Sequence, residues 1–503
     1  MRGTFLVLMV MVGLVAPLRL AAAAPPAGPS VDQPAPAGSS AGQPPAPVAA
    51  PAPPRTSGPA GLSSALGPRR TFTLRGFSMC PPAGAQEARK GESVDLALYN
   101  VVDPSSGQVL MMMRIWHSTE LKETVTVLSD YANKLRQQLV LDQDFHQEGY
   151  TATATSEPTT PPPAAGQTTT IAGKPAIDLR GNVGRGNVER FRRDFWVQVE
   201  PAQSPNQFLV IQFIGPIAQR EGILRASQAC INSLQFFDPT AIRASLEAAR
   251  ERAEQLLKAL TREKVLSVLS REDYWMAAVR GDRVVGFMHF TESIAYQGKQ
   301  EGVQVMVQSA FLADDGSRVL SRQEMFSTAD RVNERWEQRG ITLGADGNDV
   351  GRHRQFAARQ HNQLVVQTVT GPHDTISQVK QIPESICLPL AFSPLVGRLV
   401  EKTPGAQYAF AQYDPANEEV AMRVVRVVGP ANVNIGAQAY GVTEIEDRPD
   451  VDGPLTKLYI DAAGLPLKWV TTDAAGRQTV VQRTTAAAIA QRFAAELKRF
   501  EMP

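Results

Sequence analysis

The stretch RVVGFMHF, residues 283–290, decides the fold class of the C-terminal half of this chain. Its β-branched and aromatic residues favour a strand, along which successive side chains point to opposite faces. Val285, Phe287 and His289 share one face, and the opposite face is apolar as well, through Met288. Because neither face is polar, we expect this strand to lie inside a sheet that is covered on both sides.

Turn sequences divide the surrounding region, residues 271–503, into β-prone runs of about 6 to 12 residues. Gly, Asp and Asn cluster in turns at 280–282, 314–316, 346–348, 414–417, 461–464 and 473–476. This punctuation predicts an antiparallel meander that builds one large sheet. The helix-prone stretches 390–401 and 485–500 are expected to cover one side, and curling of the sheet itself is expected to cover the other.

A curved antiparallel sheet with a long terminal helix resembles, in architecture only, the half-barrel of LolA-type periplasmic carriers. The resemblance implies an exported domain that holds an apolar or lipid-like molecule inside the sheet. In that case Val285, Phe287 and His289 would line the ligand cavity.

Residues 239–270 are predicted to form a connecting helix. Apolar residues such as Leu246, Ala253 and Leu257 recur at helical spacing, and charged residues occupy the opposite face. A single apolar stripe of this kind favours packing against a neighbouring domain, because a coiled coil needs more heptads than are present here.

Residues 69–238 combine strand-prone runs with two helix-prone stretches, near 119–139 and 217–231. Antiparallel strands that are interrupted by one helix and closed by a second predict a sandwich of the α+β class. The chain as a whole is therefore predicted to be α+β, with an N-terminal domain at 69–238, the connecting helix, and a C-terminal sheet domain at 271–503.

Four segments of the N-terminal domain resemble the PsbP family of extracytoplasmic and thylakoid-lumen domains. They are GFSMCPPAG at 76–84, IAGKPAIDLRG at 171–181, QFLVIQFIG at 207–215 and ILRASQACINSLQFF at 223–237. The resemblance implies an α/β/α sandwich around an antiparallel sheet, and a binding or assembly-factor domain without catalytic residues.

The beginning of the chain indicates its destination. Arg2 precedes an uncharged apolar run and a stretch of four alanines, which predicts a signal peptide at residues 1–24 with cleavage near Ala23. Residues 25–68 are rich in Pro, Ala, Gly and Ser, a composition that predicts a disordered tether. We therefore expect a periplasmic or secreted protein, which contacts a membrane only if the signal segment is retained.

The sequence contains 3 cysteines: Cys80, Cys230 and Cys387. In an oxidising compartment they allow one disulfide, and we favour Cys80 with Cys230 because both belong to the N-terminal domain. Cys387 would then be a buried free thiol.

Charge and motifs point to few candidate sites. The whole chain carries a formal net charge of +1, so no nucleic-acid partner is expected. Four arginines, Arg185, Arg190, Arg192 and Arg193, could form a patch for an anionic partner, although a solvated face is the simpler interpretation. No histidine or cysteine spacing that typically holds zinc is present, so neither a metal nor another cofactor is expected.

These observations favour a non-enzymatic envelope protein that binds a partner protein or a ligand. The alternative is a carrier of an apolar molecule, which requires a continuous apolar cavity of at least about 300 Å³ in the C-terminal sheet. A minor alternative is an unrecognised hydrolase, which requires a nucleophile and a base that converge from distant strands.

Overall fold

The computed structural model describes residues 62–88, 96–118, 128–143, 146–147, 167–184, 189–199, 207–369, 374–472 and 477–501. The predicted signal peptide and the tether up to residue 61 lie outside the described residues. The described chain forms two compact units. One comprises Leu66–Pro81 and Cys230–Pro503, and the other comprises 62–65 and Pro82–Ala229.

The unit that contains Pro82–Ala229 is built on one antiparallel sheet. Its strands are β3 (Gln86–Glu87), β4 (Ala97–Val102), β5 (Val109–Ser118), β6 (His146–Gln147), β7 (Gln167–Ile171), β8 (Lys174–Val183), β9 (Arg190–Val199) and β10 (Gln207–Pro216). They pair in the order β3-β4-β5-β10-β9-β8-β6, and β7 also pairs with β8. The long strands β5, β10, β9 and β8 are therefore central.

Each face of this sheet carries a helix. Helix α1 (Leu128–Gln143) packs Ala132 and Leu135 onto the face that carries Trp196. Helix α2 (Arg220–Asn232) contacts the other face, where the guanidinium of Arg193 donates to the carbonyl of Leu224 at 3.3 Å. The antiparallel character that the sequence predicts for the sheets is confirmed.

The other unit begins with a small sheet and two helices. Strands β1 (Arg70–Phe72), β2 (Phe77–Met79) and β11 (Gln235–Phe236) form the three-stranded sheet. The predicted connecting helix consists of α3 (Thr240–Ala259) and α4 (Arg262–Ser267); Thr261 lies between them and caps α4. Its stripe of Ala249, Ala253 and Leu257 is buried, as the helical spacing predicts.

The remainder of this unit is one curved antiparallel sheet of 14 strands. The strands are β12 (Tyr274–Arg280), β13 (Arg283–Gln297), β14 (Gln300–Leu312), β15 (Arg318–Thr328), β16 (Asn333–Leu343), β17 (Asp349–Gln360), β18 (Gln363–Val369), β19 (Thr375–Gln381), β20 (Gln407–Asp414), β21 (Glu419–Ile435), β22 (Gln438–Arg448), β23 (Thr456–Ile460), β24 (Pro466–Thr472) and β25 (Gln478–Thr484).

The chain enters this sheet in the middle. It runs outward as a meander from β12 to the edge strand β19, crosses to the opposite edge at β20, and returns as a second meander to β25, which pairs with β12. Trp336 of β16 stacks on Tyr413 of β20 with ring centroids 5.7 Å apart, although ten positions in the strand order separate these strands. The sheet therefore curls until distant strands meet across its inner face, the face that carries Trp336.

The outer face is covered by the C-terminal helix α6 (Ala486–Glu501). Ile489 and Phe493 of α6 pack on Phe287, which is fully buried. This helix was expected at 485–500. No helix within the described ranges combines the length and the apolar character that a membrane crossing requires.

The prediction of one continuous helix at 390–401 is wrong. The structure has a 3₁₀ turn at Leu390–Phe392 and a short helix, α5 (Val396–Leu399). Pro394 lies between them and lacks the N–H that a continuous helix would need at this position. The chain therefore folds into short turns here, and it packs into the curl of the sheet.

Candidate functional site

A pocket of about 50 Å³ lies against the inner face of the large sheet. Its lining residues are Tyr274, Phe290, Ser393, Pro394, Val396, Gly397, Arg423, Asp447, Leu458, Ile460, Gly464, Pro466 and Trp469. Strands β12, β13 and β21 to β24 supply one wall, and residues 393–397 supply another. The lining is mainly apolar, as is typical of small-molecule pockets.

Three aromatic rings form one wall of the pocket. Tyr274 stacks on Phe290, with centroids 4.7 Å apart and an interplanar angle of 8°. Trp469 meets Phe290 edge to face at 6.4 Å and 88°. Cross-strand pairing fixes the first pair, because Tyr274 lies directly opposite Phe290 in the sheet.

Few polar groups reach the pocket. The guanidinium of Arg423 donates to the carboxylate of Asp447 at 2.6 Å, and both side chains are buried. The indole N–H of Trp469 is buried and has no hydrogen-bond partner among the described residues. Trp469, a lining residue, therefore carries a buried donor that no described group satisfies.

The phenol of Tyr274 is held on the sheet by a buried ion pair. Its hydroxyl donates to Glu292 at 3.2 Å, and burial, followed by the charge of Glu292, raises the pKa of Tyr274. Glu292 also accepts two bonds from Arg398, at 2.5 and 2.7 Å. Tyr274 is consequently a neutral donor at physiological pH.

The inner segment, residues 382–400, fills the curl of the sheet beside the pocket. Its buried apolar residues are Ile382, Ile386, Leu388, Leu390, Ala391, Phe392, Leu395, Val396, Leu399 and Val400. These side chains join the main core cluster together with Met325 and Trp336 of the sheet. The large apolar interior is thus filled mostly by the chain itself.

Residues 387–388 of the inner segment are bonded to β20, where the N–H of Leu388 donates to the carbonyl of Ala411 at 3.0 Å. Three contacts with charged side chains also fasten the segment to the strands. Arg398 pairs with Glu292, Ser393 accepts from Arg423 at 2.5 Å, and the backbone N–H of Leu390 donates to Glu334 at 2.6 Å. Burial raises the pKa of Glu334, against the opposing charge of Arg359. Buried ion pairs add little net stability but fix one geometry, so these contacts set the position of the segment.

Between Leu390 and Leu399 the described backbone hydrogen bonds are largely local. Ser393 N donates to Leu390 O at 3.0 Å, and Arg398 N donates to Leu395 O at 2.8 Å. The pocket wall at 393–397 therefore carries no strand pairing to the described sheet. It can shift without breaking the sheet's hydrogen-bond ladder.

The predicted cavity lining requires a correction. Val285 belongs to the inner core cluster, whereas Phe287 packs under α6 on the outer face, and neither lines the pocket. A bulge between Ala278 and Val279 interrupts the pairing opposite this stretch, so strict alternation fails there.

His289 lies on the outer-face side, away from the pocket. Its ring stacks on Trp275 with centroids 3.8 Å apart. Its Nε2 lies 3.1 Å from Asp273, and its Nδ1 lies 3.4 Å from the amide oxygen of Gln308. The residue is held by an aromatic ring, a carboxylate and an amide in a half-buried position.

The predicted anion patch also requires a correction. Arg192 pairs with Asp194 at 2.6 Å, Arg193 pairs with Asp178 at 2.7 Å, and both guanidiniums are buried. Arg190 is exposed, and Arg185 lies outside the described residues. The sequence shows the arginines but not their partners, because the carboxylates meet them only through strand pairing.

All three cysteines are free thiols in the structure. Cys80 lies near enough to Cys230 to affect the pKa of its thiol. The hydroxyl of Ser233 accepts from the N–H of Cys80 at 2.8 Å and donates to the carbonyl of Cys230 at 2.6 Å. Burial, followed by the nearby Cys80, raises the pKa of Cys230 to about 12. The proposed bridge between them stays a prediction.

The sequence missed most of the pocket. Tyr274 and the Arg398–Glu292 pair gave no signal, since ion pairs 106 positions apart follow no spacing rule. Within the described residues no group of three His, Cys, Asp or Glu side chains is placed to hold a metal ion.

A scan against protein-family models finds no match, and a search of the curated proteins finds none either. Among solved structures, a domain of unknown function, DUF1849, from Brucella abortus is similar at 12% identity and a TM-score of 0.30, covering 42% of this chain and 95% of that chain.

Two further structures are similar at lower scores. A protein inferred to be a lipoprotein, from Parabacteroides distasonis, matches at 8% identity and a TM-score of 0.18, covering 43% of this chain and 96% of that chain. A domain inferred to belong to an outer membrane lipoprotein-sorting protein, from Vibrio parahaemolyticus, matches at 9% identity and a TM-score of 0.16, covering 47% of this chain and 91% of that chain. At these scores the likenesses support no argument about this chain.

Proposed function

We propose that this chain is an exported, non-enzymatic binding protein that takes an apolar molecule into the pocket on the inner face of its C-terminal sheet. The observation that carries the proposal is the aromatic wall of Tyr274, Phe290 and Trp469, which faces a wall made of a segment without strand pairing.

The size of the pocket defines how a ligand would bind. At about 50 Å³ it holds a small apolar group, well below the roughly 300 Å³ that a preformed carrier cavity needs. A larger ligand therefore requires the wall at 393–397 to shift outward. Arg398 and Ser393 hold this wall through Glu292 and Arg423. The apolar gain from a ligand must therefore offset any rearrangement of these contacts, so we expect the wall to shift with the Arg398–Glu292 pair still formed.

The affinity of a fluorescent apolar probe tests the proposal. N-phenyl-1-naphthylamine, whose emission rises in apolar surroundings, is titrated into the mature protein. Val396→Phe, which fills the pocket, is expected to weaken binding at least tenfold. The control is Val365→Phe, the same change at a position that is 38% exposed, which is expected to leave binding unchanged.

Equal affinity of the wild type and Val396→Phe would place the probe elsewhere and refute the pocket. If Val396→Phe does not fold, Leu458→Phe fills the same pocket from the sheet side and is expected to weaken binding to the same degree. Native mass spectrometry of the protein purified from its own host provides an independent check, because a bound apolar molecule adds a discrete mass.

The wider assignment is part of the same proposal. The signal peptide at 1–24 with cleavage near Ala23, the extracytoplasmic location, the LolA-type architecture of the C-terminal half and the PsbP-like character of the N-terminal half all belong to it. Binding of an envelope partner protein remains the alternative, and it predicts that the host-purified chain carries a protein mass instead of a small one.

A further inference from the structure

A row of polar side chains crosses the inner face beside the pocket. Register places Gln323, Gln338 and Gln355 side by side on β15, β16 and β17. The same row continues in the other direction through Val307 to Phe290, which lines the pocket. Since neighbouring strands are about 4.8 Å apart, Gln323 lies about 10 Å from Phe290 across the sheet.

Hydroxyl groups flank this glutamine row. Ser309 and Ser321 face each other in the next row, on β14 and β15, and Thr342 lies one row beyond on β16. All three point to the same face as Gln323, because they are even numbers of residues away along their strands or paired across them. We call Ser309, Ser321, Gln323, Thr342 and Gln355 the polar ladder.

The polar ladder is buried without partners in the described part of the chain. Both amide atoms of Gln323, the hydroxyls of Ser309, Ser321 and Thr342, and the amide oxygen of Gln355 have no hydrogen-bond partner there. Gln323, Gln355 and Ser309 are fully buried. Gln355 does donate through its amide nitrogen to Thr368 at 3.0 Å, so its side chain is already oriented.

Such a cluster is costly unless something satisfies it. Each buried polar group without a partner costs about 1–3 kcal/mol, whereas an entire domain is stable by about 5–15 kcal/mol. Buried polar groups in folded proteins are therefore almost always paired with protein, water or ligand. The five side chains of the polar ladder therefore need hydrogen bonds that the described residues do not supply.

We propose that the polar ladder binds the uncharged, hydroxyl-bearing head of an amphipathic ligand whose apolar part occupies the pocket. This inference rests on the proposed function and specifies its ligand class as a neutral amphiphile. The distance of about 10 Å between Phe290 and Gln323 is within the span of one small amphiphile.

The donors and acceptors of the polar ladder favour a ligand with an uncharged head group. Hydroxyls and amides can each donate and accept, which matches a group that also does both, such as an alcohol with neighbouring hydroxyls. The charged residues of the inner face near the ladder, Glu334 and Arg359, are bonded to each other at 3.0 Å. An anionic or cationic head would therefore be desolvated without a countercharge of its own.

The test compares ligands that share one chain and differ in their heads. The probes are 1-octanoylglycerol, methyl octanoate, octanoate and octyltrimethylammonium, each measured by displacement of N-phenyl-1-naphthylamine. The wild type is expected to bind 1-octanoylglycerol about tenfold more tightly than methyl octanoate, the difference that one or two net hydrogen bonds give. The two charged probes are expected to bind more weakly than either.

Gln323→Met removes the central amide at nearly constant volume. It is expected to abolish the tenfold preference for 1-octanoylglycerol while leaving methyl octanoate unchanged. Without ligand it is expected to raise Tm by about 2–4 °C, because an unpaired buried amide is removed. Gln304→Met, on the outer face of β14, is the matched control and is expected to change neither quantity.

Each outcome decides a separate point. A preference that survives Gln323→Met, or a wild type that prefers a charged head or distinguishes no heads, overturns the polar ladder as a ligand site. A wild type that binds none of the probes overturns the proposed function instead. If Gln323→Met is unstable, Ser321→Ala tests the same site through the same ratio of affinities.

Discussion

The two folded units bury charged side chains in different ways. In the sheet of β3 to β10, Arg193 pairs with Asp178 on the neighbouring strand, and Arg192 pairs with Asp194 on its own strand. On the inner face of the large sheet, Glu292 and Arg423 instead fasten the inner segment, which belongs to no strand. Arg193 also donates to the carbonyl of Leu224 in helix α2. The first arrangement therefore joins paired strands and a packed helix, whereas the second holds a wall without strand pairing on a sheet.

This difference indicates that the unit with the large sheet is the one whose buried charges can affect ligand binding. A side chain that joins two paired strands fixes geometry that the ladder of backbone bonds already fixes. A side chain that joins a strand to chain without strand pairing, as at residues 390–399, decides whether that part of the chain stays in place. Pocket and polar ladder both lie beside such contacts, so we expect mutations there to change binding as well as stability.

The largest effect is expected from breaking one charge pair in each unit. Arg398→Met leaves Glu292 buried without its countercharge, and Arg193→Met does the same to Asp178. Each is expected to lower the free energy of unfolding by about 3–5 kcal/mol, measured by denaturant titration. Only Arg398→Met is also expected to change probe affinity, because only Arg398 holds the pocket wall.

The double variant Arg398→Met with Glu292→Gln is the control for this comparison. It replaces the unpaired Glu292 carboxylate by a neutral amide and is expected to recover much of the lost stability. If Arg193→Met alters probe binding as strongly as Arg398→Met does, the distinction between the two units is wrong.

A smaller effect is expected from the cysteines. Peptide mapping without reductant should recover Cys80 joined to Cys230, and reduction should lower the free energy of unfolding by about 2–4 kcal/mol. In the reduced protein at pH 8, Cys80 should be alkylated first, since a thiol with a pKa of about 12 such as Cys230 stays protonated until the pH approaches that value. Recovery of both residues as alkylated free thiols from unreduced protein would contradict the bridge.

The smallest effect is expected at Arg190, which shares strand β9 with Arg193 but is exposed. Arg190→Gln should change the free energy of unfolding by less than about 0.5 kcal/mol. The same denaturant titration checks this value. A loss as large as that of Arg193→Met would mean that burial does not separate the arginines of this strand.

Local patterns predicted many of the elements. Apolar spacing indicated the helix Thr240–Ala259 and the C-terminal helix Ala486–Glu501, and turn residues indicated the meander of the large sheet. These features depend on periodicity and turn chemistry within a few residues, and both are visible in one sequence.

The sequence did not predict the residues of the pocket or of the polar ladder. Phe287 and Val285 were assigned to one face, but a bulge in the pairing with the neighbouring strand moved them apart. Gln323, Gln338 and Gln355 are ordinary strand residues until register sets them side by side. A bulge and a register depend on the partner strand, which the sequence of one strand does not specify.

The sequence by itself determined the antiparallel character of the sheets, the C-terminal helix and the turns of the large meander, because these follow from composition and short-range periodicity. Only the tertiary structure decided which carboxylate meets each buried arginine, where residues 382–400 pack, and which of the described polar groups are buried without partners. Those outcomes depend on strand register and on contacts between residues far apart in the chain, and local propensity carries no information about either.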